Sequence, residues 1–167
     1  MKEKVKSGHK EIISETIVKL ELFKNRINAY SRFLDMDRID FITRTKKGDK
    51  IIYNEIQVKY SRLYLEGMPH SWKPLKEKEL DRMEDNFFYI FVIGGEELRN
   101  EDYLFIIPSK DVHKIKEEIK VINRENGEKE YAFNIWEYGE NKWGLKRRDD
   151  KGYVDITNYL NAFDLLK

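Results

Sequence analysis

The chain has 167 residues, of which 38% are charged and 13% aromatic, and its formal net charge is +1. This length is typical of one ordinary domain that buries roughly two-thirds of its unfolded surface, so we expect a single domain over residues 1–167. Because the chain has no cysteine, disulfides, thiolate metal sites and cysteine nucleophiles are excluded.

The first sixty residues predict a helix followed by a β-hairpin. Apolar residues at helical spacing predict the helix over 9–27. Side chains of alternating character predict strands over 38–45 and 51–60, and the Lys47-Gly48-Asp49 sequence between them is typical of a hairpin turn. The apolar positions that define the buried stripe of the helix are Ile13, Ile17, Leu20, Phe23 (or Lys24) and Ile27.

The remaining elements follow from apolar runs and turn residues. Gly67, Pro69 and Pro74 predict an ordered loop over 65–74, and two strongly apolar runs predict buried central strands. The elements predicted after this loop are a short helix (75–84), the buried strands (87–93 and 103–107), a helix capped by Ser109 (111–122), a hairpin around Gly139 (131–136 and 142–147) and a closing helix (156–166). This order predicts the α/β class, with a mixed α+β sheet flanked by helices.

The second strand of the first hairpin carries polar side chains on one face. Strand residues alternate between faces, so Glu55, Gln57 and Lys59 share one face. On a solvent-facing strand such residues are ordinary. On a central strand, burial would be costly unless these groups were paired or functional.

The preceding strand places an acid beside this face. Asp40 lies within the apolar run 39–42, and across the hairpin it comes next to Gln57 and Lys59. A carboxylate, a side-chain carbonyl and a backbone carbonyl form a hard-oxygen site suited to Mg²⁺. A nearby lysine can orient a water, so the arrangement predicts phosphodiester hydrolysis. Asp37 is the alternative to Asp40, although Asp40 is better placed in the strand.

The order of these residues resembles the PD-(D/E)XK nuclease superfamily. The matching residues are Glu15 in the helix, Asp40 in the apolar strand and Gln57-Val58-Lys59 after the hairpin. The chain departs from the motif at Gln57, where the family usually has an acid, so it resembles the QxK variant. Glutamine keeps an oxygen ligand but loses a charge, which Glu55 on the same face could restore. Glu11, one helical turn away, is the alternative to Glu15.

The resemblance implies a restriction-endonuclease-like core and a metal-dependent endonuclease. Asp40 and Gln57 would bind Mg²⁺ or Mn²⁺, with the Val58 carbonyl as a third oxygen. Lys59 would orient the attacking water, and Glu15 would complete the site. The expected substrate is DNA rather than RNA. By analogy with nuclease domains of this size, a homodimer or higher homo-oligomer is expected, because one site cuts one strand.

The distribution of charge agrees with a polyanionic partner. Residues 1–63 hold 15 Lys and Arg against 9 Asp and Glu, whereas the remainder holds 17 against 22. A basic surface of this kind attracts nucleic acid, although a solvated charged surface gives the same count. The expected phosphate contacts are Arg38, Arg44, Lys46, Lys47 and Arg62.

Other classes of function have weaker support in the sequence. His9, His70 and His113 lack metal-ligand spacing, and no phosphate-binding glycine motif is present. No apolar run is long enough for a membrane span and the start shows no signal-peptide pattern, so we expect a cytoplasmic protein without a membrane partner. The aromatic side chains of the second hairpin, Trp136, Tyr138 and Trp143, either stack on bases or pack on the core.

Two alternatives to a nuclease remain at this stage. The first is a catalytically silent nucleic-acid-binding or assembly module with the same fold, which the loss of the acid at Gln57 favours. The second is an interaction protein without nucleic-acid chemistry, which would be favoured if Asp40 and Lys59 lay far apart. The spatial relation of Asp40, Gln57 and Lys59 therefore discriminates between them.

Overall fold

The structure is a computed structural model that describes residues 7–31, 38–64, 70–94 and 103–167, without the side chain of Ser7. Its helices are α1 (Ser7–Lys24) and α2 (Ser109–Glu118). Its strands are β1 (Asn28–Ser31), β2 (Phe41–Lys47), β3 (Lys50–Tyr64), β4 (His70–Ser71), β5 (Pro74–Lys76), β6 (Phe87–Gly94), β7 (Tyr103–Pro108), β8 (Val121–Asn123), β9 (Lys129–Ala132), β10 (Ile135–Gly139), β11 (Lys142–Lys146) and β12 (Tyr153–Asp155).

The described strands form one large mixed sheet and one small sheet. The large sheet runs β1-β2-β3-β4-β10-β11-β12, and β6 and β7 branch from β3. Strand β6 is parallel to β3, whereas β7 is antiparallel to β6. The small sheet has the order β5-β9-β8. The predicted fold class, a mixed α+β sheet with flanking helices, is confirmed.

Strand β3 organises the fold because it separates two apolar clusters. Its Ile56 packs with Val18 and Leu22 of α1 in one cluster. Gln57 pairs with Tyr89 of β6, which belongs to the other cluster. All eight residues of β6 are buried, since both faces of this strand are covered. The apolar runs predicted as buried strands are confirmed at β6 and β7.

The first hairpin has the predicted turn. Lys47 pairs with Lys50, and Gly48 takes a φ of +61°, a left-handed conformation that glycine adopts without steric cost. The second hairpin is also confirmed, with Trp143 opposite Glu137. Strands β4 and β5 lie in the segment expected to be a loop and a helix, and residues 65–69 are outside the described part of the chain.

Three helical predictions are wrong in detail. The only helical structure in residues 75–84 is a 3₁₀ turn, Glu77–Glu79, and the C-terminal segment forms two 3₁₀ turns instead of a continuous helix. The Ser109 hydroxyl donates to the Glu84 carbonyl and does not cap α2. The reason is tertiary: these short segments are fixed by bonds to distant strands, which local propensity does not encode.

The buried stripe of α1 also differs from the prediction. Leu20 and Phe23 are about half exposed, whereas Ser14, Val18 and Leu22 are buried. The buried stripe is therefore rotated toward the side on which Glu15 lies. None of the described helices is long and apolar enough to cross a membrane.

Candidate active site

Asp40 lies immediately before β2 and is held against the backbone of β3. Its backbone N–H donates to the Ile56 carbonyl at 2.8 Å, and its Oδ2 accepts the Val58 N–H at 2.5 Å. Both bonds lie along the edge of β3, in the direction in which strands pair. The carboxylate therefore occupies the position that a backward extension of β2, toward lower residue numbers, would have taken beside β3.

A gap in the sheet explains why this position is open. Strand β2 pairs with β3 only as far as Phe41 opposite Ile56, and β4 pairs with β3 only from Leu63 onward. Between these points, residues 57–62 of β3 have a described strand partner only on the β6 side. In a strand the N–H and C=O of one residue point to the same side. The Val58 carbonyl therefore points toward the same open edge as Asp40.

Gln57 is buried beside this edge. Only 6% of the residue is exposed, and its side chain lines a cleft of about 240 Å³. The other residues that line the cleft are Arg38, Lys78, Glu79, Arg82 and Phe87. Gln57 thus presents a neutral oxygen to a cleft with several cations.

Lys59 is held by a carboxylate that the sequence did not single out. Its side chain is 12% exposed, and Nζ donates to Glu79 Oε1 at 2.9 Å. The other oxygen of Glu79 accepts the Lys76 N–H at 2.9 Å. Burial opposes ionisation of Glu79, but the Lys76 amide and the Lys59 ammonium together bring its pKa below the ordinary value. Glu79 is therefore ionised at neutral pH and fixes the Lys59 side chain.

A second half-buried lysine, Lys73, is close enough for its charge to be influenced by that of Lys59. Lys73 follows β4, and its backbone N–H donates to the Asn134 side chain at 2.9 Å. Burial and the charge of Lys59 lower its pKa, whereas Glu79 and Glu11 act in the opposite direction. Neither Lys73 nor Glu79 belongs to an interpretable spacing in the sequence, because both are brought to Lys59 from segments that local patterns misassign.

Glu55, the acid that could restore the charge missing at Gln57, is paired with an arginine. It shares the strand face with Gln57, but its Oε2 lies 3.1 Å from Nη2 of Arg82 and forms an ion pair. Arg82 also stacks over the Phe87 ring. The acid nearest to Lys59 in the cleft is therefore Glu79.

Glu15 is half-buried on the inner side of α1, whereas Glu11 is exposed. The helix packs on the sheet face that carries Ile56, opposite to the face that carries Gln57 and Lys59. For Glu15 to contribute to the site, its side chain would have to reach past the open edge of β3, near Val58.

The predicted phosphate contacts spread along the whole hairpin. Arg38 lines the cleft, has a φ of +56° and donates from Nη1 to the Lys78 carbonyl at 2.9 Å. Lys46 is at the turn, six residues from Asp40 and hence about 20 Å away along the strand. At the other end of β3, Arg62 lies over the Tyr64 ring. The remaining two, Arg44 and Lys47, lie in β2.

The aromatic residues of the second hairpin have separate environments. Trp143 is buried in the core, which agrees with packing on the core rather than with stacking on bases. The Trp136 ring stacks on His70, with ring centroids 4.3 Å apart, and Tyr138 stacks on Tyr153. His70 is thereby part of an aromatic stack, and Asp37 lies outside the described residues.

The donor atoms that the sequence predicts for a metal site suit a hard cation in kind but carry little charge. They comprise the Asp40 carboxylate, the Gln57 side-chain oxygen and the Val58 carbonyl. Among the residues that the structure describes, no group of three or more histidine, cysteine or acidic side chains could hold a metal ion. A cation at this site would therefore depend on amide and backbone oxygens for the rest of its coordination.

The fold belongs to the mixed α+β class, with a long β-hairpin at the centre of the sheet. No family model matches the sequence, and no curated protein matches it significantly. Among solved structures, the chain is similar to a bacterial homing endonuclease, I-Ssp6803I, with a TM-score of 0.54 and 14% sequence identity. The match covers 97% of this chain and 93% of that chain, so the likeness extends over the whole fold.

Proposed function

We propose that this protein is a metal-dependent endonuclease that hydrolyses phosphodiester bonds of DNA. The observation that carries the proposal is the position of Asp40, whose carboxylate meets the Val58 amide at the open edge of β3, between buried Gln57 and Lys59. The likeness of the fold to that of a bacterial homing endonuclease supports it, since that protein is an endonuclease by name.

The residues divide the proposed work between them. Asp40, Gln57 and the Val58 carbonyl would hold Mg²⁺ or Mn²⁺, which when bound stabilises negative charge on the phosphate. Lys59, whose side chain is fixed by Glu79, holds the attacking water by hydrogen bonding. Arg38, which lines the cleft, would bind a substrate phosphate, and Glu15 of α1 would complete the site. Cutting both strands of a duplex would require two copies of the chain.

A second candidate function has a specific observation in its favour. Asp40 Oδ2 already accepts a backbone N–H, and Lys59 already has Glu79 as its partner. Both residues could therefore serve only to close the sheet edge, which would leave a catalytically silent nucleic-acid-binding module. Its prediction is DNA binding without metal-dependent cleavage.

Cleavage of plasmid DNA with Mg²⁺ or Mn²⁺ distinguishes the two functions. Asp40→Ala and Lys59→Ala should each reduce cleavage by roughly 100-fold or more, and calorimetric titration should show metal binding weakened mainly in Asp40→Ala. Asp155→Ala and Lys116→Ala are matched controls. Asp155 also accepts a backbone N–H, from Thr157, and Lys116 is also a buried lysine paired with an acid, Asp81.

The controls should cleave as the unmodified protein does. Loss of cleavage in Lys116→Ala equal to that in Lys59→Ala would indicate a general effect on folding. Wild-type protein that binds DNA but neither takes up metal nor cuts would establish the silent module instead.

A further inference from the structure

The sheet formed by β1, β2 and β3 has one covered face and one open face. On the covered face, Thr43 and Asn54 are buried, and the Asn54 side chain donates to the Leu166 carbonyl at 3.1 Å. The C-terminal 3₁₀ turn and α1 therefore cover this side. On the other side, Tyr30 and Tyr53 are each 53% exposed and Ile51 is 46% exposed.

The register of the three strands joins these exposed residues into one surface. Arg44 lies opposite Tyr53, and Lys46 lies opposite Ile51. Directly opposed residues share a face and have Cβ atoms about 5 Å apart. Tyr30 belongs to the same face, because its partner on β2 is two residues from Arg44. We call the surface of Tyr30, Arg44, Lys46, Ile51 and Tyr53 the open face.

The charge of the open face is positive. Arg44 and Lys46 form no ion pair with any described residue. The acid on this face of β3 is Glu55, and its charge is compensated by Arg82. A surface with aromatic rings and uncompensated cations suits a polyanion better than an acidic or a neutral protein partner.

The open face is also continuous with the candidate active site. Residues 51, 53, 55, 57 and 59 point to the same side of β3. Lys59 is six residues from Tyr53, which corresponds to about 20 Å along the strand and to about six base pairs along a duplex. A duplex cut near Lys59 would thus extend its flank across the open face.

We propose that the open face binds the duplex DNA that flanks the scissile phosphate, with the β2–β3 hairpin against the major groove. A β-ribbon fits this groove, where Tyr30, Ile51 and Tyr53 would contact sugar and base edges while Arg44 and Lys46 bind phosphates. The inference rests on the proposed function, since it takes DNA as the substrate, and it assigns aromatic and aliphatic residues to recognition.

Binding of a labelled duplex, measured by fluorescence anisotropy without divalent metal, tests this surface separately from cleavage. The double variant Tyr30→Ala/Tyr53→Ala should bind the duplex roughly tenfold more weakly. Phe23→Ala is the control, because Phe23 is similarly exposed but lies on α1. Thermal melting should show that all variants remain folded, because the substituted side chains are exposed.

The outcomes separate this inference from the proposed function. If the tyrosine variant binds DNA more weakly and the wild type does not cleave, the DNA-binding role of the open face is supported and the nuclease function is rejected. If the tyrosine variant cleaves DNA with unchanged affinity and unchanged KM, the nuclease function is supported and the DNA-binding role of the open face is rejected. An oligomer that dissociates in the tyrosine variant at unchanged DNA affinity would show that a second copy covers this face, which overturns the proposal.

Discussion

The two faces of the β1–β2–β3 sheet are built from the same strands but serve different purposes. The covered face holds Phe41, Thr43 and Asn54 under α1 and the C-terminal turn. The open face presents Tyr53 and cations to solvent and leads to Lys59. The difference teaches that stability and function can be assigned to opposite faces of one hairpin, so substitutions two or three residues apart should have unrelated effects.

Phe41→Ala should give the largest effect on stability. Its ring is buried with Val18 and Leu22, so its loss removes apolar burial and leaves a cavity that should cost about 3–5 kcal/mol of unfolding free energy. Tyr53→Ala on the open face should change stability by less than about 0.5 kcal/mol. Urea denaturation of both variants measures the contrast, and equal losses would refute a division of labour between the faces.

Gln57→Glu should strengthen metal binding by roughly tenfold if Gln57 is a ligand, because a carboxylate adds charge to the site. The cleavage rate need not rise, since tighter binding of the ground state does not by itself accelerate chemistry. Glu55→Gln is the control and should leave metal affinity unchanged, because Glu55 is paired with Arg82. Calorimetric titration of Mn²⁺ provides the measurement. A weaker metal site in Glu55→Gln would instead show that Glu55 supplies the charge.

Glu79→Gln should destabilise the protein by about 1.5 kcal/mol at pH 7, the usual contribution of a hydrogen bond to a charged group. The folded-state pKa of Glu79 is lowered, so its stabilisation is present above the unfolded pKa and is lost as the pH falls through the folded pKa. The difference from wild type should therefore begin to shrink as the pH falls below the ordinary glutamate pKa of about 4.3, and should vanish only below the lower folded-state pKa. Denaturation at several pH values tests this, with Glu125→Gln, a substitution at an exposed glutamate, as the control.

Lys46→Ala should give the smallest effect, a change in the salt dependence of DNA binding, and it tests whether the two faces of β2 differ near the turn. If Lys46 neutralises one phosphate, the slope of log affinity against log salt should decrease in magnitude by about 0.9. Lys47 points to the opposite side of β2, so Lys47→Ala should change the slope less. Titration of duplex DNA at rising salt measures both. Equal changes of the slope in Lys46→Ala and Lys47→Ala would show that both sides of the turn contact DNA.

The sequence determined the elements whose signals are local. Alternation and Gly48 fixed the first hairpin, and uninterrupted apolar runs identified the central strands β6 and β7. Alternation also sufficed to place Glu55, Gln57 and Lys59 on one face, and the antiparallel hairpin brought the Asp40 carboxylate to the backbone amide of Val58. These predictions succeeded because a strand repeats every two residues and a short turn leaves little choice of register.

The tertiary structure decided which residues contact each face of the sheet, and these contacts could not be predicted from the sequence. Glu79 and Lys73 reach Lys59 from segments predicted as a helix and a loop, and Arg82 takes the charge of Glu55. The covered face depends on the backbone of Leu166, more than one hundred residues from Asn54. Contacts between segments so far apart leave no periodic signal, because they depend on packing geometry and on which strand edge remains unpaired.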